Sequence, residues 1–271
     1  MFKLFRHVLD RLKTTVKFCY FNSYRFLFGK DETRLALGES FGAYKFPQWH
    51  LLDVKNSDIN LNLEDRNYTI PLDRVKLCYS SHMFEHITNE AATYLLAQVF
   101  ESMEIGGIVR IEVPCSNKIL DDYRLNNGRP IAQYFSQSNK DTLVSEDGFD
   151  EKYAELHIGT LGAVSCVHVD NGGGKYSHIP VYVDVEEFER QLEVHDNDQF
   201  CDWAISLQTE EERAQHGHIN YWSDDKLIEF LERVGFSGAI ACDIGESKYG
   251  FDLSIERPHR GFYSTVVEAV R

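Results

Sequence analysis

The chain has no CxxC pair: its six cysteines (Cys19, Cys78, Cys115, Cys166, Cys201 and Cys242) are scattered along 271 residues. Several fall in apolar runs, where a thiol acts as a small hydrophobe. That argues against a disulfide-stapled scaffold and for a reducing, cytoplasmic setting. Positive charge is also scarce, with 28 Lys and Arg against 43 Asp and Glu, a net charge of −15. Nucleic acid is therefore not the expected partner, since phosphate binding needs a basic surface. No uncharged run is long enough to span a bilayer. Internal repeats and low-complexity tracts are absent. What remains, with 43% hydrophobic residues, suffices for one large α/β domain carrying an insertion.

Residues 1–30 depart from this balance. They hold seven basic side chains against Asp10 alone. Leu4, Phe5, Val8, Leu9, Leu12, Val16 and Cys19 recur at helical spacing, and six aromatic residues follow between Phe18 and Phe28. A basic, aromatic amphipathic helix suits either packing on the domain or a second subunit, or peripheral contact with the inner membrane surface.

The stretch from Val75 to Pro114 organises the rest. Val75, Leu77, Cys78 and Tyr79 form an apolar run suited to a strand buried on both faces. Thr88 or Asn89 then caps a helix with Glu90 in its first turn. Ala92, Leu95, Leu96, Val99 and Met103 supply its inner face, and Gly106-Gly107 is expected to stop it. Ile108, Val109, Ile111 and Val113 form the next strand. Strand, helix and strand in this order predict a right-handed βαβ unit in a parallel sheet. Ligands bind beyond the C-terminal strand ends of such sheets, here Ser80 to His86 and Pro114 to Asn117.

Upstream, Leu35-Ala36-Leu37 reads as a strand ending at Gly38, and Trp49–Val54 as a second strand with Asp53 near its end. A glycine turn followed by an acidic strand end is a nucleotide-cofactor pattern, although a plain turn glycine and a solvated Asp fit as well. Downstream, Ser223 caps a helix ended by Gly235, and residues 237–243 and 263–270 read as the last two strands. The segment 126–218 reads as polar and irregular.

LALGESFGAYKFPQWHLLDV (35–54), YSSHMFEHI (79–87), GGIVRIEVP (106–114), INYWSDDKLIEFLERVGF (219–236) and YSTVVEAVR (263–271) resemble the class I S-adenosylmethionine-dependent methyltransferases. The nearest likeness is to the type 11 group found beside sugar and polysaccharide genes. The resemblance implies a doubly wound α/β fold: a mostly parallel seven-stranded sheet whose final strand is antiparallel. Residues 31–271 would form that domain, with an insertion at about 116–218 building the acceptor pocket. It further implies S-adenosylmethionine as cofactor and S-adenosylhomocysteine as product. Gly38, Glu39 and Ser40 would line the methionine end, and Asp53 would hold the ribose hydroxyls. Asn62 and Leu63 would lie near adenine, and Ser80, Ser81 and His82 beneath the sulfonium. Two places depart from the group: Ser40 stands where a second glycine is usual, and Asn62 where an aspartate is frequent. The departures keep open a cofactor-free interaction module on the same fold.

The expected reaction is methyl transfer to an oxygen, with a sugar hydroxyl as acceptor. A hydroxyl acceptor needs a base titrating near neutral pH, and His157 and His218, at the boundaries of the insertion, are the candidates. The block His82-x-x-Glu85-His86 also matches a zinc-hydrolase pattern, which requires both histidines on one helix. Here His82 follows a strand directly and His86 precedes a helix cap, so no metal is expected from that block.

Overall fold

The computed structural model describes residues 33–39, 47–126, 155–170, 176–256 and 260–271, with Ile131, Gln133, Tyr134 and the backbone of 144–145 and 148–149. The proposed N-terminal helix and Ser40 lie outside the described residues. Among those described, no helix is long and apolar enough to cross a membrane.

Seven strands form the central sheet: β1 (Arg34–Leu37), β2 (His50–Asp53), β3 (Ile59–Asn60), β4 (Val75–Ser81), β5 (Met103–Pro114), β10 (Ser237–Cys242) and β11 (Ser264–Val270). Their spatial order is β10-β11-β5-β4-β1-β2-β3. The five strands from β3 to β5 run parallel, and β11 lies antiparallel between β5 and β10. Strand order therefore reverses between β1 and β4, which pair Leu37 with Ser80 at their C-terminal ends. This is the topology implied by the sequence, with the final strand inserted in the sheet. A reversal of this kind opens a crevice at the carboxyl edge.

Helix α1 (Asn89–Ser102) joins β4 to β5. Thr88 caps it, its Oγ1 accepting from Ala91 N, and Glu90 occupies the first turn. Ala91, Ala92, Leu95, Leu96 and Val99 are buried in the main core. The glycine pair does not stop this helix. The helix ends at Ser102, and Met103 already has extended backbone, so Gly106 and Gly107 lie within β5. Gly106 bends the strand at φ +84°, beside a register shift against β4. A Cβ at Gly107 would stand 2.8 Å from Val75 O, so close strand approach explains the residue there.

After Pro114 the spacing of Ile119, Leu120, Tyr123 and Leu125 reads as a short helix, and α2 (Ser116–Asn126) stands there. The polar segment beyond it is more ordered than its composition predicts, with two short hairpins (β6, Val144–Ser145, with β7, Gly148–Phe149; and β8, Val167–Asp170, with β9, Tyr176–Ile179) and α3 (Leu156–Val164). Three further helices follow: α4 (Val185–Val194), α5 (Asn197–Ser206) and α6 (Glu210–Arg213). Leu120, Leu161, Phe188, Phe200 and Ala204 form a second core that reaches Tyr263, just before β11. Asp184, Asp196 and Thr209 cap the last three helices through their side chains. Short capped helices of one to three turns give too little periodicity to register against a polar background. Helix α7 (Asp224–Val234), capped by Ser223 and ended by Gly235, returns the chain to the sheet.

Candidate functional site

The carboxyl edge at the strand-order reversal is built from the ends of β1, β2 and β4. Gly38 turns the chain out of β1 at φ +70°, and its N–H donates to Leu52 O at 2.8 Å. A Cβ at this position would lie 2.6 Å from Met83 Cβ and Cγ. Glycine is therefore required by the backbone and by the approach of Met83, a reason the sequence did not disclose. Gly38→Ala is expected to cost about 2–5 kcal/mol, the left-handed penalty added to overpacking. A lowered urea midpoint with unchanged slope would confirm it.

Glu39 follows and is buried, its N–H also directed at Leu52 O. Asp53 closes β2 alongside. Its Oδ1 accepts from Val54 N at 2.7 Å, and Ser57 Oγ accepts from Asp53 N. Burial raises its pKa, opposed by the Val54 hydrogen bond and Lys55.

Asn62 and Leu63 take structural parts. Asn62 caps a short turn, Oδ1 accepting from Glu64 N and Nδ2 donating to Asp65. Leu63 is buried in the main core. The side chain of Asn62 is thus committed to its own turn.

At the end of β4, Ser80 is fully buried, and its hydroxyl has no hydrogen-bond partner among the described residues. Ser81 Oγ donates to Glu112 Oε2 at 2.8 Å, as does Tyr79 OH at 2.9 Å. His82 has φ +52°, an uncommon conformation for a side-chain-bearing residue. The turn places its ring between two buried carboxylates. Nδ1 lies 3.3 Å from Glu85 Oε1, and Nε2 lies 3.8 Å from Glu112 Oε1 and 2.8 Å from Ser264 Oγ. Glu112 is the residue sequence reasoning missed. Arg110 and Glu112, two charges in an otherwise apolar central strand, were its signal.

His82 and His86 do not share a helix. Phe84–His86 forms one 3-10 turn, and Glu85 stands between the two rings, with its Oε1 3.7 Å from His86 Nε2. Glu85 is 2% exposed. Burial alone would raise its pKa, but the His82 hydrogen bond and the fields of His86, His82 and His218 outweigh it and hold the carboxyl at about 2.

The two candidate bases are placed differently from one another. His157, on α3, is buried beside Phe188, and its Nε2 faces Val183 O at 2.9 Å. A carbonyl only accepts, so that nitrogen carries the proton and donates it. Nδ1 faces Glu155 at 3.3 Å. The ring ties α3 to the chain entering α4. His218 bonds Ala163 O through Nδ1 and turns its other edge toward His86 and His178. Burial, then the neighbouring His86, pushes its pKa well below 6.5. Burial likewise lowers His168 to about 3, and desolvation of its ring against the other histidines, then the field of His86, lowers His178 to about 4 although the residue as a whole is exposed. Sequence reading placed these histidines in one segment but had no means of bringing them to His86.

The sequence matches no family model and no curated protein sequence. Among solved structures, it is similar to an S-adenosylmethionine-dependent methyltransferase from Mesorhizobium loti, at 13% identity and TM-score 0.39, over 89% of this chain and 93% of that one. A second, from Archaeoglobus fulgidus, has 11% identity and TM-score 0.38, over 98% and 99%. Human N-acetylserotonin methyltransferase, solved with S-adenosylmethionine, has 9% identity and TM-score 0.36, over 94% of this chain. The chain spans 55% of that protein's length. Likenesses this distant carry nothing about activity to this chain, which must be argued from its own sheet edge.

Proposed function

We propose that the chain is an S-adenosylmethionine-dependent methyltransferase acting on an oxygen, with a sugar hydroxyl of a glycan or its nucleotide-linked precursor as acceptor. One observation carries the reading: Gly38, Asp53 and Ser80 meet at the point where strand order reverses, in a sheet with its final strand inserted antiparallel. Open α/β sheets bind nucleotide cofactors at that point.

The donors present fit the cofactor. Asp53 offers a partly desolvated carboxylate oxygen, the group that accepts from paired ribose hydroxyls. Ser80 offers a buried hydroxyl without a partner, and buried polar atoms in that state call for a ligand or water. When bound, S-adenosylmethionine supplies a methyl group on a sulfonium, already a good leaving group. The chain's residues then have positional work: aligning the acceptor and excluding water. His82 stands at the end of β4, held by Ser264 and flanked by Glu85 and Glu112. In this reading it takes the acceptor proton, the role expected of His157 or His218. Both of those are tied to backbone carbonyls in the insertion.

The acceptor side would be formed by the insertion. A surface hollow where the insertion meets α7 is lined by Asn117, Asp198, Tyr221 and Asp225, side chains able to hydrogen-bond hydroxyls. Sugar as acceptor rests on this chemistry and on the sequence resemblance. Incubation of the full chain with methyl-labelled cofactor and a panel of nucleotide-sugars and glycan fragments tests it. Label is expected on a hydroxyl oxygen. Label on an amine or a protein alone would overturn the acceptor class, and heat of cofactor binding without any transfer would favour the interaction module.

A further inference from the structure

Four imidazoles converge where the insertion meets the loop after β4. His86 comes from that loop, His168 and His178 from opposite strands of the β8–β9 hairpin, and His218 from the chain entering α7. Neighbouring ring centroids are 4.9 Å apart for His86 and His168, 4.3 Å for His168 and His178, 5.5 Å for His178 and His218, and 5.0 Å for His218 and His86. The ring of four closes on itself. Imidazoles sharing one tetrahedral ion, with nitrogen about 2.0–2.1 Å from the metal, bring their centroids to about 5 Å.

The tautomers are fixed by what lies outside the ring. His86 Nδ1 faces His216 O and Gly217 O, both at 3.0 Å, and His218 Nδ1 faces Ala163 O at 3.0 Å. Carbonyls accept only, so each Nδ1 carries the proton and donates it. Each Nε2, in the neutral ring, presents a lone pair inward. A metal-bound histidine is held in the same way, its outer N–H given to a backbone carbonyl. His168 Nε2 and His178 Nε2 face each other at 2.6 Å, a pair that shares one proton and must separate to about 3.3 Å to seat one ion.

A second observation is the carboxylate beside the imidazoles. Glu85 is buried next to the ring, its Oε1 3.7 Å from His86 Nε2 and 3.3 Å from His82 Nδ1. Its carboxylate, His86 and His218 have donor atoms within 4.8 Å of one another, as do Cys166, His178 and His218. A buried carboxylate is costly unless a cation is close.

We propose that His86, His168, His178 and His218 bind one divalent transition-metal ion of the zinc class, with Glu85 as the adjoining carboxylate, pinning the β8–β9 hairpin to the loop after β4. Imidazole donors suit that class, and the 6.4 Å between the His86 and His178 centroids across the ring closes when the four turn onto one ion. His178 is exposed, which gives the ion a way in. The site is distinct from the helix-borne zinc pattern that the letters of His82-x-x-Glu85-His86 match, since His82 turns to Glu112 and Ser264 instead.

The test is titration of the full chain, stripped with chelator, with Zn²⁺ against a chromophoric competitor and then with Co²⁺ read by visible absorption. One equivalent per chain is expected, with the intense ligand-field bands of a tetrahedral site. His178→Gln, at an exposed position, and His218→Gln are both expected to weaken binding at least about tenfold. His195→Gln, outside the ring, is expected to bind as wild type. Failure of the wild-type chain to take up stoichiometric metal would overturn the proposal, as would equal uptake by His178→Gln and His218→Gln. None of these outcomes depends on methyl transfer.

Discussion

Arg110→Met is expected to lower the stability of the chain by about 3–5 kcal/mol, the cost of breaking a buried ion network by removing one partner. Arg110 is wholly buried in β5. Its Nη1 donates to Glu268 Oε1 at 2.6 Å, directly across the β5–β11 pairing, and its Nε donates to Glu256 Oε1 at 2.7 Å. Glu268 is committed elsewhere too: Oε2 accepts from Lys248 N at 2.8 Å and Ser247 Oγ at 3.1 Å. Removal of the guanidinium leaves two desolvated carboxylates facing each other, and the loop after β10 loses its anchor through Glu268. Against a total of about 5–15 kcal/mol for a typical domain, the loss is large. Urea unfolding should show a markedly lower midpoint with unchanged slope. By contrast Glu187→Ala, at the exposed pair with Arg190, should leave the midpoint where it is. A wild-type midpoint for Arg110→Met would contradict the account of β11 as an ion-locked insertion.

Asp53→Ala is expected to weaken S-adenosylhomocysteine binding about 100-fold or more. Hydrogen bonds to a charged acceptor contribute about 1.5–3 kcal/mol each, and a carboxylate at this strand end meets two ribose hydroxyls. Calorimetric titration of the two proteins reads the loss. His82→Gln supplies the contrast. It removes the ring between Glu85 and Glu112 while leaving Asp53 and Ser80 in place. Binding should therefore stay within a fewfold of wild type, while methyl transfer falls by about 10²–10⁴, the usual contribution of a positioned base. Loss of binding in His82→Gln with transfer per bound cofactor preserved would assign His82 to the cofactor and away from the chemistry.

The sheet was largely legible because its central strands are apolar runs between recognisable stops. Val75–Ser81, the Thr88 cap and the Ser223-to-Gly235 helix all lie where the pattern puts them. The glycine pair misled because Gly106 and Gly107 stop a helix and relieve a strand crossing with equal ease. Only the approach of Val75 O separates the two. The insertion was illegible for another reason. Its helices are short, and what orders them is a shared core around Phe188 and Phe200, a tertiary fact with no local period. The candidate site divides along the same line. Gly38, Asp53 and Ser80 could be placed from strand ends. The partners of His82 and the histidine ring depend on residues up to 182 positions apart in sequence. Arg110 and Glu112 were the exception, since a buried strand that tolerates two charges announces a polar network within it.

A crystal structure of the full chain with S-adenosylhomocysteine tests the central claim most directly. The nucleoside is expected at the carboxyl edge between β1 and β4, its ribose hydroxyls on the Asp53 carboxylate and its sulfur toward Ser80 and His82. A crevice closed by the Ser40 side chain, or a nucleoside bound away from Asp53, would contradict it and leave the fold without the activity.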